Sequence, residues 1–110
     1  MLCGMAEFIE IEITCPDMAS AEAVARACVE AGLAACANIR PGLHSIYRWQ
    51  GAVEAEGEVG LTLKTRAALF DAVAEAVARV HPYEVPAIVA LPLVAVAPAY
   101  ADWLRAETGG

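Results

Sequence analysis

Phe8-Ile9-Glu10-Ile11-Glu12-Ile13 is the stretch whose reading decides the fold. Ile9, Ile11 and Ile13 alternate with Glu10 and Glu12, and successive strand side chains point to opposite faces, so the segment reads as a strand with one buried and one solvated face. A second alternating run, Val59-Gly60-Leu61-Thr62-Leu63-Lys64, presents Val59, Leu61 and Leu63 on one side and reads as the return strand of a long hairpin. Its outgoing strand is expected over 35–48, bent or bulged at Pro41-Gly42, with Trp49-Gln50-Gly51 as the turn. Between the first strand and this hairpin, Ala21, Val24, Ala25, Cys28 and Val29 recur at helical spacing over 18–31, and Gly32 offers a C-terminal stop. A second helix is expected over 66–80, with Phe70, Val73, Val77 and Val80 as its apolar stripe. His81-Pro82-Tyr83-Glu84-Val85-Pro86 breaks it, 88–93 reads as a short edge strand ending near Pro92, and a last helix is expected over about 98–107.

The order of elements predicts an α+β fold, a ferredoxin-like βαββαβ sandwich with an extra C-terminal helix. Residues 1–7 read as a flexible tail and 8–107 as a single domain. With both main helices covering the isoleucine face, Glu10, Glu12 and Thr62 are left on an open face, and an open face beside an edge strand calls for self-association.

A chain of 110 residues has room for one hydrophobic core. It is 59% hydrophobic, yet charges interrupt every apolar stretch before the ~18 residues a membrane span needs. Met1-Leu2-Cys3-Gly4-Met5 lacks a basic start followed by an apolar run, so a cytoplasmic location with no membrane partner is expected. A net charge of −7 with only 7 scattered Lys and Arg speaks against a nucleic-acid partner. The four cysteines show no CxxC spacing. Cys28 and Cys36 read as reduced, buried thiols, Cys15 as a partly buried turn cysteine and Cys3 as part of the tail. No glycine-rich phosphate loop is present, and His44 and Ser45, as strand neighbours, point to opposite faces and make no nucleophile–base pair, so a binding protein rather than an enzyme is expected.

Leu33-Ala34-Ala35-Cys36-Ala37-Asn38-Ile39, Ser45-Ile46-Tyr47-Arg48-Trp49-Gln50-Gly51, Lys64-Thr65, His81-Pro82-Tyr83-Glu84-Val85-Pro86 and the terminal Tyr100-Ala101-Asp102-Trp103 resemble, in order and spacing, the signature blocks of the CutA (CutA1) divalent-cation tolerance family. The resemblance spans roughly residues 8–105. It implies a ferredoxin-like subunit in a tight homotrimer similar to the PII signalling proteins, a role in tolerance of divalent cations, copper above all, and weak direct metal binding. Members credited with copper ligands carry a Cys and a second His at positions that here hold Ile13 and Val80, neither of which ligates a metal; Cys15, on the same strand face as Ile13, is the remaining thiol nearby.

Two groups of residues are candidates for function. His81, with Glu84 three residues on, offers an imidazole and a carboxylate to Cu(II) or another divalent cation, a cofactor not required for folding; its structural alternative is to cap the preceding helix. Trp49, Lys64, Tyr83 and Glu84 form a second group, either an intersubunit pocket for a small molecule, with Lys64 supplying the charge for an anion, or anchors of the interface itself.

Overall fold

The computed structural model describes residues 6–109. Four strands, β1 (Phe8–Cys15), β2 (Cys36–Trp49), β3 (Ala52–Arg66) and β4 (Ile88–Pro92), form one antiparallel sheet in the order β2-β3-β1-β4. The helices are α1 (Met18–Glu30), α2 (Phe70–Val80), entered through a 3₁₀ turn at Ala67–Leu69, and α3 (Pro98–Glu107). This is the expected ferredoxin-like order, and β4 lies at the edge with Pro92 as its last residue.

The alternation of β1 builds the core as expected. Ile9, Ile11 and Ile13 join Leu61 and Leu63 of β3 in one buried cluster with Val24 and Cys28 of α1 and Val73 and Val77 of α2. Asp17 caps α1, its carboxylate accepting from the Ser20 amide at 2.8 Å. Gly32 turns the chain at φ +73°, which allows the Leu33 amide to donate back to the Cys28 carbonyl. Two residues assigned to the apolar stripes sit outside them. Val29 and Val80 lie in the last turns of α1 and α2, and both are exposed. The cysteines also differ from expectation: Cys15 is fully buried in the core, whereas Cys36 is only half-buried, its Sγ 3.5 Å from Tyr100 Oη.

The largest difference is in β3, which begins seven residues before the expected Val59. Gln50 and Gly51 both have positive φ, 49° and 83°, which suits a two-residue turn between twisted strands and fixes Trp49 opposite Ala52. Pairing then runs without interruption through Tyr47↔Glu54 and Ser45↔Glu56 to the bulge, seen as a register shift between Arg40 and Leu43 with Gly42 at φ +88°. Since β1 pairs only with residues 59–66 of β3, residues 43–58 form a two-stranded ribbon that projects beyond the sheet.

The face opposite the core carries Glu10 and Glu12, as expected, but it is organised rather than merely solvated. Arg40 lies across Gly60, donating to Glu12 Oε1 at 2.9 Å and to Thr62 Oγ1, and the Thr62 hydroxyl donates to Glu12 Oε2 at 2.7 Å. Gly60 makes this possible, because a Cβ there would come within 3.0 Å of the Arg40 guanidinium. At one end of this face α3 closes a small second cluster of Phe8, Ala35, Ala101 and Leu104. Most of the expected tail 1–7, Cys3 included, lies outside the described residues; Glu7, within it, accepts from Arg105 at 2.6 and 2.8 Å. The ordered contacts also continue past the expected boundary at 107, with Arg66 donating to the Thr108 carbonyl at 2.7 Å.

Leu61→Ala, which opens a void between the sheet and both helices, is expected to lower unfolding free energy by about 2–5 kcal/mol in urea melts. Burial pushes the Cys15 thiol up to about 11, with the charges of Asp17 and Glu58 adding to the effect, and burial also raises Cys28. Both are therefore expected to stay unmodified by iodoacetamide at pH 8 in the folded protein and to react once it is unfolded, as read by peptide mass mapping.

Candidate functional site

The ribbon and the segment after α2 enclose a cleft of about 730 Å³. The register places Ser45, Tyr47 and Trp49 of β2 on the same side as Glu54, Glu56 and Glu58 of β3, continuous with the open face of the sheet. Tyr47, Trp49, Glu56 and Glu58 line the cleft from the ribbon, Tyr83 and Glu84 from the opposite wall, and Thr14 reaches it from β1. Pro82 bars His81 from helical backbone, His81 being extended at φ −66° and ψ 136°, and the chain then bends through 82–85 to form the opposite wall.

Electrostatically the cleft is acidic. Glu58 is 7% exposed and accepts from the Tyr83 hydroxyl at 2.6 Å. Burial raises the Tyr83 phenol above its ordinary value, and the hydrogen bond to Glu58 together with the charges of Glu58 and Glu56 raises it further. Tyr47 is raised in the same direction, by desolvation first and then by Glu56. Both phenols therefore stay protonated and serve as hydrogen-bond donors and aromatic walls, not as anionic ligands.

His81 stands behind this wall, 6% exposed. Its Nε2 lies 2.7 Å from the Thr14 carbonyl and its Nδ1 accepts from the Tyr83 amide at 3.1 Å. A carbonyl can only accept, so the proton is on Nε2, and the ring is a neutral imidazole with both nitrogens in use. His81 is also the C-cap of α2, as its structural alternative expects, its backbone amide donating to the Val77 carbonyl at 2.8 Å, while the ring ties β1 to the segment after α2. Glu84 is exposed on the cleft rim. Among the described residues no three His, Cys, Asp or Glu side chains are grouped to hold a metal ion. Within one chain, therefore, the residues present do not fit a closed copper site: His81 has no free lone pair, Cys15 is a buried protonated thiol, and Glu84 is left alone.

Of the second group, the structure brings Trp49, Tyr83 and Glu84 together in the cleft and leaves Lys64 out. Lys64 is six residues along β3 from Glu58, about 20 Å at strand rise, where it pairs with Glu10 and Cys36 in the register and its Nζ reaches Asn38 Oδ1 at 3.4 Å. Glu56 and Glu58 occupy the place where a cationic side chain was expected, so within one chain the cleft is no anion site. These two glutamates and Tyr47 are site residues that sequence reasoning missed. Their signal was present in Glu54, Glu56 and Glu58, carboxylates repeating at the strand period of two.

The CutA1 divalent ion tolerance protein family model matches residues 9–107. The divalent-cation tolerance protein CutA of Thermus thermophilus is 50% identical over 97 residues, covering 88% of this chain and 94% of that protein. Protein CutA of Mus musculus is 44% identical over 96 residues, 87% of this chain; the chain spans about half of the mouse protein, 54% of its length. The solved Cut A1 structure from Thermus thermophilus superposes with a TM-score of 0.90 at 48% identity, covering 93% of this chain and 99% of that one. With the ferredoxin-like order, the bulged hairpin and the His81–Glu84 segment in place, this chain belongs to the CutA1 divalent ion tolerance family.

Proposed function

We propose that this chain serves divalent-cation tolerance, copper above all, as a non-enzymatic cytoplasmic homotrimer, and that any copper it takes is held at contacts between copies. The observation that carries the assembly is the projecting ribbon. Two strands alone are marginal in water, yet this ribbon extends over 43–58 and exposes Ile46 at 76% and Val53 at 62%. On the open sheet face, Val89 and Leu91 of the edge strand are likewise exposed beside the charged network of Arg40, Glu12 and Thr62. Apolar groups on a ribbon and on an unpaired edge are the two surfaces that a ring of identical copies covers at once. Both His81 nitrogens are occupied within the chain, so copper is assigned to surfaces between copies. Support for a reducing compartment comes from the free thiols Cys15, Cys28 and Cys36. Among the described residues that line the cleft no nucleophile–base–orienter set is found, which favours a binding role.

The cleft favours a second reading, a trimeric sensor in which a small molecule occupies the space between the ribbon and the segment after α2. Its volume lies within the ~300–1,000 Å³ of small-molecule sites.

Leu91→Glu puts a charge on a surface that is exposed in a single chain and covered in the trimer. Sedimentation equilibrium is expected to give three times 11.5 kDa for the unchanged protein and a smaller mass for the variant at the same dilution; a variant that remains a trimer of unchanged thermal stability contradicts the assembly. In calorimetric titration with Cu(II), His81→Ala is expected to bind as the unchanged protein does. Because the Thr14 carbonyl and Tyr83 amide lose their partner, it is also expected to lose about 2 kcal/mol or more of stability. Saturable copper binding abolished by His81→Ala in a protein that is still folded would instead make His81 a ligand.

A further inference from the structure

We propose that the cleft between the ribbon and the 81–87 segment binds an organic ammonium ion, with its cationic head on Glu56 and Glu58 and its apolar body against Tyr47, Trp49 and Tyr83. This rests on the reading of the cleft as a small-molecule site and names the ligand class.

The composition of the walls selects the charge. Glu56, Glu58 and Glu84 line the cleft with no Lys or Arg among the described lining residues. An anion would meet three carboxylates and, beside them, the His44 imidazole as the one basic side chain among the described lining residues. Glu58 is already withdrawn from water to 7% exposure and has one proton donor, the Tyr83 hydroxyl, so a cation brought to its remaining lone pairs meets a carboxylate whose desolvation has already occurred in folding.

The walls also select the kind of cation. A bare divalent ion needs several oxygens converging within about 2.5 Å of one point, and the described residues offer no such group. The two phenols do not add anionic oxygens, because burial, and after it the neighbouring glutamates, raise them above their ordinary value. What remains is a roomy, aromatic-walled space with Glu56 and Glu58 on the ribbon side and Glu84 across from them. Aromatic faces attract an ammonium through the ring quadrupole and cover its alkyl body, while its N–H groups match carboxylate acceptors. Trp49, 40% exposed at the mouth, and Tyr47, 37% exposed on the same strand face, are placed to close over such a ligand.

The sequence contains two tryptophans, so in Trp103→Phe the emission reports on Trp49 alone. Spermidine is titrated at constant ionic strength, with magnesium chloride and citrate as parallel arms. The expected result is a saturable change with spermidine and none with magnesium, at least ~10-fold weaker in Glu58→Gln and in Glu56→Gln. Glu56 is exposed, so Glu56→Gln keeps the test valid should Glu58→Gln fail to fold. Equal responses to magnesium and spermidine, or spermidine binding indifferent to both substitutions, overturn the ammonium assignment. Saturable citrate binding without spermidine binding overturns it too while leaving a small-molecule cleft, and silence in all three arms overturns both.

Discussion

The pairing of β1 with β3 in a single register is the constraint on which the rest of the molecule depends. Ile11 opposite Leu63 and Ile13 opposite Leu61 put five large aliphatic side chains, with Ile9, under the two main helices. A slip of one residue would turn Glu10 and Glu12 into that core, at a desolvation cost no packing could offset. The same register places Glu12 beside Thr62 and lets Arg40, lying over the bare Gly60, reach both. One face is thus sealed by helices, and the other carries an ordered polar network edged by exposed Val89 and Leu91. A closed core and an open, patterned face are two outcomes of a single alternation.

From this register the ribbon follows. β1 ends at Cys15, level with Val59, so among the described residues β3 has β2 alone as its partner before that point. The turn at Gln50 and Gly51 nevertheless keeps β2 and β3 together to the tip. The projecting part has its own polarity. Tyr47, Glu56 and Glu58 face the cleft, while Val53, opposite Arg48 in the register, points the other way into solvent. The cleft depends on His81 at its back, because the hydrogen bonds of that ring to Thr14 and Tyr83 set the distance between the two walls. The imidazole acts as a brace between β1 and the segment after α2.

Much of this was legible in the sequence, and the parts that were not share a cause. Local periodicity identified β1, both main helices, the edge strand with its terminal Pro92, and the bulge at Pro41-Gly42, because each rests on side chains a few residues apart. The early start of β3 was missed because residues 52–58 have no apolar alternation; their strand character comes from pairing dictated by the turn. Lys64 was grouped with Trp49 and Tyr83 as part of a pocket or interface between copies, and within one chain strand rise separates it from Glu58 by about 20 Å. The acidic character of the cleft required the cross-strand register, which no single segment carries. Exposed Val29 and Val80 show the same limit from the other side, since a helical stripe does not say which of its residues the rest of the chain covers.

Amide hydrogen exchange on the native protein, followed by mass spectrometry at a series of protein concentrations, tests most directly whether the ribbon is an interface between copies. Amides of 43–49 and 52–58 are expected to be protected nearly as well as those of β1 where the protein is assembled, and to lose that protection on dilution while β1 keeps its own. Ribbon amides that exchange at one rate across the whole dilution series would contradict the account, since the ribbon would then stand without a partner.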